Sequence, residues 1–534
     1  MTAGVSPNQA DLLKGTASFV EGRVPADSIF AFLHRECHVL FPDEMFEDLY
    51  SGRGRQAVPG RVLAVVMVLQ KMYGLSDREA VAAFEFDTRW KYAAGGLDFD
   101  YPGFVHTVLV NMRARLAASD DEQRIFKVSL RAANRAGLLS AKRVLDSTPL
   151  YDAVATMDTV TLIRSAIRGL LAVAGFVLGG ELRGVLVRED TYINAGKPVC
   201  DWDDTDERRR LVDALARDGH ACLGVLDGRA LDPKVCVAAE LLATVLGQDL
   251  DQDDQSGVFL IARRVAKDRV ISTVDPTARH GHKTAARGFD GHKGHVGIDP
   301  DSEIITATKV TAGNVSDGAV AQDLIEDLLN NSATPDPTKD TDGRGDPEVL
   351  GDAAYGNGKF QEFLEDNGIT SGCKTPPPSP LPGGRFTKDQ FGIDLETETV
   401  TCPNGVTVTI KRHRDGTGTA EFNKSCSTCP LRDQCTRSPK GRKVNIGVHE
   451  AALVRARARQ QDPEWKANYQ ATRPKVERKL GHMMRRKHGA RQSRLRGTTK
   501  IDADFNLLAG ALNLARLAVL GIYSTPASGW ATTN

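Results

Sequence analysis

The sequence predicts an α/β fold that combines a mixed sheet with several helical regions. Residues 143–148 and 348–352 are short apolar runs that each carry an aspartate at or near the end, a pattern typical of buried strands. Residues 292–298 and 303–310 are rich in β-branched side chains, and the Asp-Pro-Asp-Ser stretch between them predicts a hairpin. Helical periodicity lies before, between and after these strands.

The composition limits the class of protein. The chain has 534 residues, with 69 Lys and Arg against 69 Asp and Glu, so its formal net charge is zero. This balance excludes a uniformly basic DNA-coating protein and an acidic, solvated chain. It leaves nucleic-acid binding open, because a net value hides how the charge is distributed. At roughly 100–200 residues per domain, the length predicts about three or four domains.

The sequence shows no pattern of export or membrane insertion. The first 70 residues lack a signal-peptide pattern, and the apolar runs 169–180 and 505–523 are too short or too interrupted to span a bilayer. The chain has nine cysteines, mostly scattered, which indicates a reducing compartment and no disulfide framework. We therefore expect a cytoplasmic protein with no membrane partner.

The N-terminal region is predicted to be helical. Apolar residues recur at helical spacing from Val62 to Leu75, and Ser76 or Asp77 can cap the helix that follows. A further helix is expected at 104–116. A helix-turn-helix DNA-binding unit and a plain helical bundle both fit this pattern.

The elements of the central region follow from changes in the sequence pattern. A helix is expected after the first strand, at 156–178. Two more, at 208–216 and 235–246, lie in an acidic stretch that interrupts the strand pattern and therefore looks like an insertion. After the hairpin, helices are expected at 319–330 and 359–366, on either side of the second acid-bearing strand.

The C-terminal part begins with a proline-rich linker at 376–384, followed by a β-rich region that carries a cysteine cluster. Basic helices are expected at 450–471 and 473–487, and an apolar helix at 505–523. The resulting domain division is a helical N-terminal domain with a potential DNA-binding role at 1–135, the first and second parts of a core at 136–190 and 266–375, a helical insertion at 191–265, a β/Cys-rich insertion at 376–445, the C-terminal helices of the core at 446–525 and a tail at 526–534.

Three acids form the candidate catalytic site. Asp146 and Asp352 lie at the ends of the two apolar strands, and Glu477 lies in the basic helical region. Phosphodiester cleavage and strand transfer use two Mg²⁺ ions about 3.5–4 Å apart, and such hard cations take carboxylate oxygens. Together the three acids meet this requirement, although each alone also fits a turn, a cap or a solvated helix face. Turn and loop roles are favoured for the other acids nearby, Asp152, Asp158, Asp290, Asp299 and Asp317.

Several stretches at and around these acids carry a resemblance to a known family. They are VLDSTPLYDAVATMDTVT at 144–161, the segment that contains the hairpin at 272–318, VLGDAAYG at 349–356, RPKVERKLGHMMRRKHGARQSRLRG at 473–497 and the helical segment at 74–95. In this order and over most of the chain, they resemble bacterial insertion-sequence transposases of the DDE class. The resemblance implies a ribonuclease-H-like core. It also implies that Asp146 and Asp352 are the first two catalytic acids, on the first and fourth core strands, and that Glu477 is the third, on a late helix.

In the signature of this family, Tyr, Arg, Glu and Lys surround the third acid. Arg473 has the expected spacing to Glu477, whereas Tyr469 is displaced by one position. The signature Lys falls on Met484, which is followed directly by the basic run at 485–487.

The resemblance implies a transposase whose partners are double-stranded DNA, both terminal inverted repeats and target DNA. It would hydrolyse phosphodiester bonds at the element ends with two Mg²⁺ or Mn²⁺ ions held by the three acids, and the freed 3′-hydroxyl would then attack target DNA. The resemblance also implies a homo-oligomer on paired ends, in a bacterial cytoplasm and associated with the nucleoid. Two alternatives stay open, a metal-dependent nuclease on the same fold and a catalytically inactive DNA-binding relic.

The cysteine cluster consists of Cys402, Cys426, Cys429 and Cys435. Four thiols that include one Cys-x-x-Cys pair could bind a structural Zn²⁺ tetrahedrally, and four reduced cysteines in a small β insertion are the alternative. A Cys-rich insertion before the catalytic Glu is also a feature of the resembling transposases, which implies a structural or DNA-contacting role.

Positive charge is concentrated in the segment 437–500. It contains nineteen Lys and Arg against four Asp and Glu, a net charge of +15, which is the charge pattern of a surface that binds phosphate backbones. The His- and Lys-rich segment 279–295 adds further DNA-contact candidates, and its spacings fit no metal-ligand pattern. The candidate DNA-binding residues are Lys293, Arg473, Lys475, Arg478, Lys479, Arg485, Arg486 and Lys487.

Overall fold

A computed structural model describes residues 1–2, 4, 15–152, 156–284, 286–330, 345–378, 381–526 and 529–533. The α-helices are α1 (Thr16–Val20), α2 (Ile29–Leu40), α3 (Gly60–Tyr73), α4 (Asp77–Phe86), α5 (Thr88–Ala93), α6 (Thr107–Ala117), α7 (Arg124–Arg135), α8 (Thr159–Val173), α9 (Gly175–Gly184), α10 (Thr205–Leu226), α11 (Pro233–Asp249), α12 (Glu326–Asn330), α13 (Gly358–Asp366), α14 (Arg432–Cys435), α15 (Glu450–Arg459), α16 (Pro463–Met483) and α17 (Thr498–Val519).

The strands form one large sheet and several small ones. They are β1 (Lys142–Tyr151), β2 (Leu250–Gln252), β3 (Phe259–Ile261), β4 (Arg279–Thr284), β5 (Arg287–Ile298), β6 (Ile305–Ala312), β7 (Glu348–Gly351), β8 (Thr370–Cys373), β9 (Gly392–Asp394), β10 (Thr399–Thr401), β11 (Thr407–Thr409), β12 (Lys411–Arg412), β13 (Gly418–Glu421), β14 (Lys443–Ile446), β15 (Ile522–Thr525) and β16 (Gly529–Thr532).

The N-terminal region is helical, as predicted. Gly74 ends α3 in the left-handed conformation, with φ of 61°, and Ser76 then caps α4 in a capping box with Glu79. Helix α3 is buried along most of its length among its neighbouring helices and against α17. The N-terminal helices and the last long helix therefore share one hydrophobic core.

The large sheet is mixed. Strand β1 lies between β5, which is antiparallel to it, and β7, which is parallel to it. Strand β6 pairs antiparallel with β5, which confirms the predicted hairpin, while β8 pairs parallel with β7 and β4 pairs with the first half of β5. Across the main part of the sheet the order is therefore β6-β5-β1-β7-β8.

Both faces of the sheet are covered. Val144 and Leu145 are adjacent on β1, and each is fully buried, but they belong to different hydrophobic clusters because successive side chains of a strand point to opposite faces. Val144 packs in the cluster that contains α16 and α17, and Leu145 in the cluster that contains α13. The helices on both faces fix the position of the central strand.

The chain leaves the sheet after β1 to form a helical layer and then returns. The predicted helices at 208–216 and 235–246 lie within α10 and α11, and these pack with α8 and α9 in one hydrophobic cluster. The helical layer therefore also includes α8 and α9, which lie before residue 191, the predicted start of the insertion. The backbone N–H of Met157 donates to the carbonyl of Ile271 at 2.9 Å, so the two ends of the excursion lie side by side.

The helices near Glu477 differ from the prediction. The predicted boundary between helices at residue 472 is wrong, because α16 runs through it from Pro463 to Met483 with Pro474 inside. The break lies earlier, where the Asp462 side chain caps α16 and Pro463 occupies its first turn. Arg473 and Glu477 consequently lie one turn apart on a single helix.

The apolar segment near the C-terminus forms a core helix. Most of α17 is buried, and Asn513 hydrogen-bonds both the N–H and the carbonyl of Ile305 on β6, at 2.8 Å each. Within the described part of the chain, no helix is long and apolar enough to cross a membrane.

Candidate active site

The first two predicted acids lie side by side. Strands β1 and β7 are parallel, with Val144 opposite Leu350. Asp146 and Asp352 each follow their partner of this pair by two residues, so the register brings them to the same edge of the sheet. The charge of Asp352 acts on Asp146 and contributes to the rise in its pKa, which agrees with this proximity.

The third predicted acid meets the other two at one cavity. Asp146, Asp352 and Glu477 all line a cavity of about 650 Å³ between the sheet edge and α16. Glu477 is exposed and also lines a second cavity, of about 610 Å³, which Arg473 lines as well. Acids from two strands and one helix, far apart in sequence, therefore face a common space.

Asp146 is largely buried at the wall of this cavity. Its side chain is 14% exposed and forms an ion pair with Arg473 on α16. Burial raises the pKa of Asp146, the positive charge and hydrogen bonds of Arg473 oppose this rise, and Asp352 adds to it. The backbone N–H of Ser147 donates to Asp146 Oδ1 at 2.8 Å, which holds the carboxylate from the strand side.

A fourth acid, Asp317, lines the same cavity. It accepts a hydrogen bond from the Ser147 hydroxyl at 2.7 Å and pairs with the Lys293 ammonium at 3.0 Å. In the sequence, Asp317 fits a turn role. Asp317 does begin a 3-10 turn, but its side chain faces the site. No local pattern signals this, because its partners come from β1 and β5.

The predicted DNA-binding residues are not equally available. Lys293 and Arg473 line the cavity and are each paired with an acid there. Lys475 and Arg478 pair with Asp301 and Glu303 beside the hairpin turn. Arg485, Arg486 and Lys487 lie just past the end of α16 and are exposed.

Lys479, by contrast, points into the protein. It is 3% exposed, and burial lowers its pKa to about 8. Its position follows from helical periodicity, because Val476, Leu480 and Met483 define the buried face of α16 and Lys479 lies on that same face. In this arrangement the Lys479 side chain is therefore not exposed to a DNA backbone.

The chemistry of the three acids suits a divalent cation. They are hard oxygen donors around one cavity, and burial raises the pKa of Asp146 while the charge of Arg473 opposes this rise. Among the residues that the structure describes, however, no three His, Cys, Asp or Glu side chains are grouped closely enough to hold a metal ion. In this arrangement Arg473, rather than a third acid, is the partner of Asp146.

The four clustered cysteines line one small cavity in the β insertion. Cys402, Cys426, Cys429 and Cys435 surround about 20 Å³, and all four are free thiols. Burial raises the pKa of Cys435, and the other three thiols add to this rise. The four sulfurs therefore converge, but the absence of a metal-ligand group in the described residues applies to them as well.

Comparison with protein families gives two matches. Residues 401–518 match the family described as "Transposase DDE domain", a stretch that includes the cysteine cluster and the helix with Arg473 and Glu477. Residues 19–115 match "Transposase domain (DUF772)", which covers most of the N-terminal helices. Comparison with curated proteins gave no match, and comparison with solved structures gave none either. Two separate stretches of the chain therefore match transposase families, and these matches support an insertion-sequence transposase of the DDE class.

Proposed function

We propose that this transposase cleaves DNA at the ends of its element and joins the freed ends to target DNA, with Asp146, Asp352 and Glu477 as its catalytic acids. The single observation that carries this assignment is the shared cavity, because three acids chosen from separate parts of the sequence line it together. Two strand-end acids and a helical acid with unrelated roles would have no reason to line the same cavity.

The arrangement of the sheet supports a ribonuclease-H-like core. The core strands in chain order are β1, β5, β6, β7 and β8, so Asp146 lies on the first and Asp352 directly after the fourth. The first three form an antiparallel meander and the last two run parallel to the first. The resemblance drawn from the sequence requires the two acids at these positions.

The side chains around the cavity can do several parts of the reaction. DDE transposases in general use divalent metal ions, which when bound would stabilise charge on the attacking and leaving oxygens. Asp146 and Asp352 would hold the ions, with Glu477 reaching them from α16. Lys293 and Arg473 provide positive charge where a scissile phosphate would lie. Arg485, Arg486 and Lys487 extend this charge outward for the DNA backbone.

The test is cleavage of DNA fragments that carry the sequences flanking the coding region, in Mg²⁺ or Mn²⁺. Asp146→Asn, Asp352→Asn and Glu477→Gln should each lower the cleavage rate by about 100-fold or more, equivalent to roughly 2.7 kcal/mol of transition-state stabilisation. Glu464→Gln is the matched control, because Glu464 is an exposed acid near the start of the same helix. Full cleavage by Asp146→Asn would show that the site is assigned wrongly.

A second substrate distinguishes the proposal from its alternatives. A pre-cut end with a free 3′-hydroxyl should be joined to a target plasmid. Cleavage without joining would indicate a metal-dependent nuclease on the same fold. Binding of DNA with neither reaction would indicate an inactive relic.

A further inference from the structure

Asp317 links two strands beside the first catalytic acid. Its Oδ2 accepts the hydroxyl of Ser147 on β1 at 2.7 Å, and its Oδ1 pairs with the ammonium of Lys293 on β5 at 3.0 Å. The Lys293 ammonium also donates to the carbonyl of Val315 at 2.9 Å. The side chains of Ser147, Lys293 and Asp317 come from three separate segments and therefore meet at the wall of the proposed catalytic cavity.

One residue, Ser147, connects Asp317 to Asp146 by hydrogen bonds. Ser147 follows Asp146 directly, and while its hydroxyl donates to Asp317, its backbone N–H donates to Asp146 Oδ1. Asp317 therefore holds the residue that orients the catalytic carboxylate. On the other side it holds Lys293, which also lines the cavity that Asp146 faces.

An ordinary turn acid makes different contacts. Asp394, in the turn between β9 and β10, accepts from the backbone N–H groups of Glu396 and Thr397, which closes its own turn. Asp317 instead receives side-chain donors from β1 and β5. Its side chain is 11% exposed and that of Lys293 is 14%, so both charges lie mostly out of water and each offsets the cost of burying the other.

We propose that Asp317 is a positioning residue for DNA cleavage, which fixes the Lys293 ammonium and the Ser147 hydroxyl so that Lys293 meets the scissile phosphate beside Asp146. The inference rests on the proposed function for its consequence in catalysis, but its structural part, the restraint of Lys293, stands on the contacts alone. A lysine side chain has many rotamers, and two fixed acceptors restrict it to one direction.

The first measurement is the rate at which an acylating reagent modifies the Lys293 amine, followed by mass spectrometry of the full-length protein. Asp317→Asn keeps the shape of the side chain but removes the charge that pairs with Lys293. We expect modification of Lys293 to become about fivefold faster or more. The control is Asp323→Asn, which removes an exposed acid that pairs with Lys309. Equal modification rates in wild type and Asp317→Asn would overturn the inference.

The second measurement is single-turnover cleavage together with DNA affinity. Asp317→Asn should slow cleavage by about 10- to 100-fold while DNA affinity changes by less than about threefold, because a misplaced group affects the transition state more than binding. Asp317→Glu should recover part of the rate. In a Lys293→Met background, Asp317→Asn should add little further loss, since both changes remove the same contact.

The outcomes of the two measurements separate the restraint of Lys293 from its effect on cleavage. Independent losses in the double variant, or a wild-type rate in Asp317→Asn, would show that Asp317 does not act through Lys293. If the wild-type protein cleaves no DNA, the proposed function fails, while the modification of Lys293 still decides whether Asp317 restrains it.

Discussion

Arg473 and Asp146, 327 positions apart in the chain, form a two-point ion pair. Arg473 Nη2 lies 2.9 Å from Asp146 Oδ1, and Nη1 donates to Oδ2 at 3.2 Å. The pair joins α16 to the central strand of the sheet, and it occupies both oxygens of the carboxylate that we assign to metal binding. A cation entering the cavity would therefore compete with a guanidinium for the same oxygens.

Arg473→Gln should strengthen binding of Mn²⁺ to the DNA-free protein, because it removes this competitor and leaves the acids in place. Titration calorimetry or the electron paramagnetic resonance of free Mn²⁺ measures the affinity. We expect it to rise by about tenfold, equal to roughly 1.4 kcal/mol, while cleavage falls because positive charge beside the phosphate is lost. Arg478→Gln is the control, since Arg478 lies on the same helix and pairs with Glu303 instead. Unchanged or weaker Mn²⁺ binding in Arg473→Gln would contradict the competition.

As the pH falls, metal binding should weaken earlier, at a higher pH, than it would at a site built from exposed aspartates. Burial raises the pKa of Asp146 above the usual 3.8, so this carboxylate takes up a proton, and loses its capacity to bind metal, before an exposed aspartate would as the pH falls. Removing Arg473 takes away the charge that opposes the rise. The midpoint of the Mn²⁺-binding profile should therefore move to still higher pH in Arg473→Gln. A midpoint at the ordinary aspartate pKa in both proteins would argue against a buried ligand.

The two strand-end acids could be predicted because a buried strand leaves a local pattern, and because the resemblance assigns the same positions. The Arg473–Asp146 pair could not, since it depends on where α16 crosses the sheet. Asp317 looked like a turn residue because its partners lie 24 and 170 positions away. Local charge density favours Lys479 as a DNA-binding residue, whereas in the structure it shares the buried face of the helix with Val476 and Met483.

The exposed basic run after α16 should control the salt dependence of DNA binding. Replacing Arg485, Arg486 and Lys487 together with Gln should lower affinity and reduce the slope of log affinity against log salt by about 2–3, because each phosphate contact contributes close to one unit. The matched control replaces the exposed run Arg208, Arg209 and Arg210 of α10, which lies in the helical layer. If both triple variants lose the same slope, binding follows overall charge and not this surface.

Zinc analysis decides between the two interpretations of the cysteine cluster. The four thiols line one cavity, so a zinc-binding cluster would carry about one Zn²⁺ per chain in protein purified without chelator. Cys429→Ser should lower the zinc content and the melting temperature. Cys236→Ser should change neither, because Cys236 lies in the helical layer. Zinc-free protein that melts like the zinc-replete sample would establish four reduced cysteines.

Lys479 should make the protein more stable at alkaline pH. Burial lowers its pKa from 10.5 to about 8, so between these values the unfolded chain binds a proton that the folded protein does not. The free energy of unfolding therefore rises as the pH increases from about 8 toward 10.5, by an amount on the order of 3 kcal/mol. Lys479→Met keeps the length of the buried side chain and should remove this rise, leaving the variant more stable than wild type at neutral pH. Urea denaturation at pH 7 and pH 10 measures both effects, with Lys475→Met as the control on the partly exposed side of the helix. Equal pH dependence in wild type and Lys479→Met would show that the ammonium is not buried in solution.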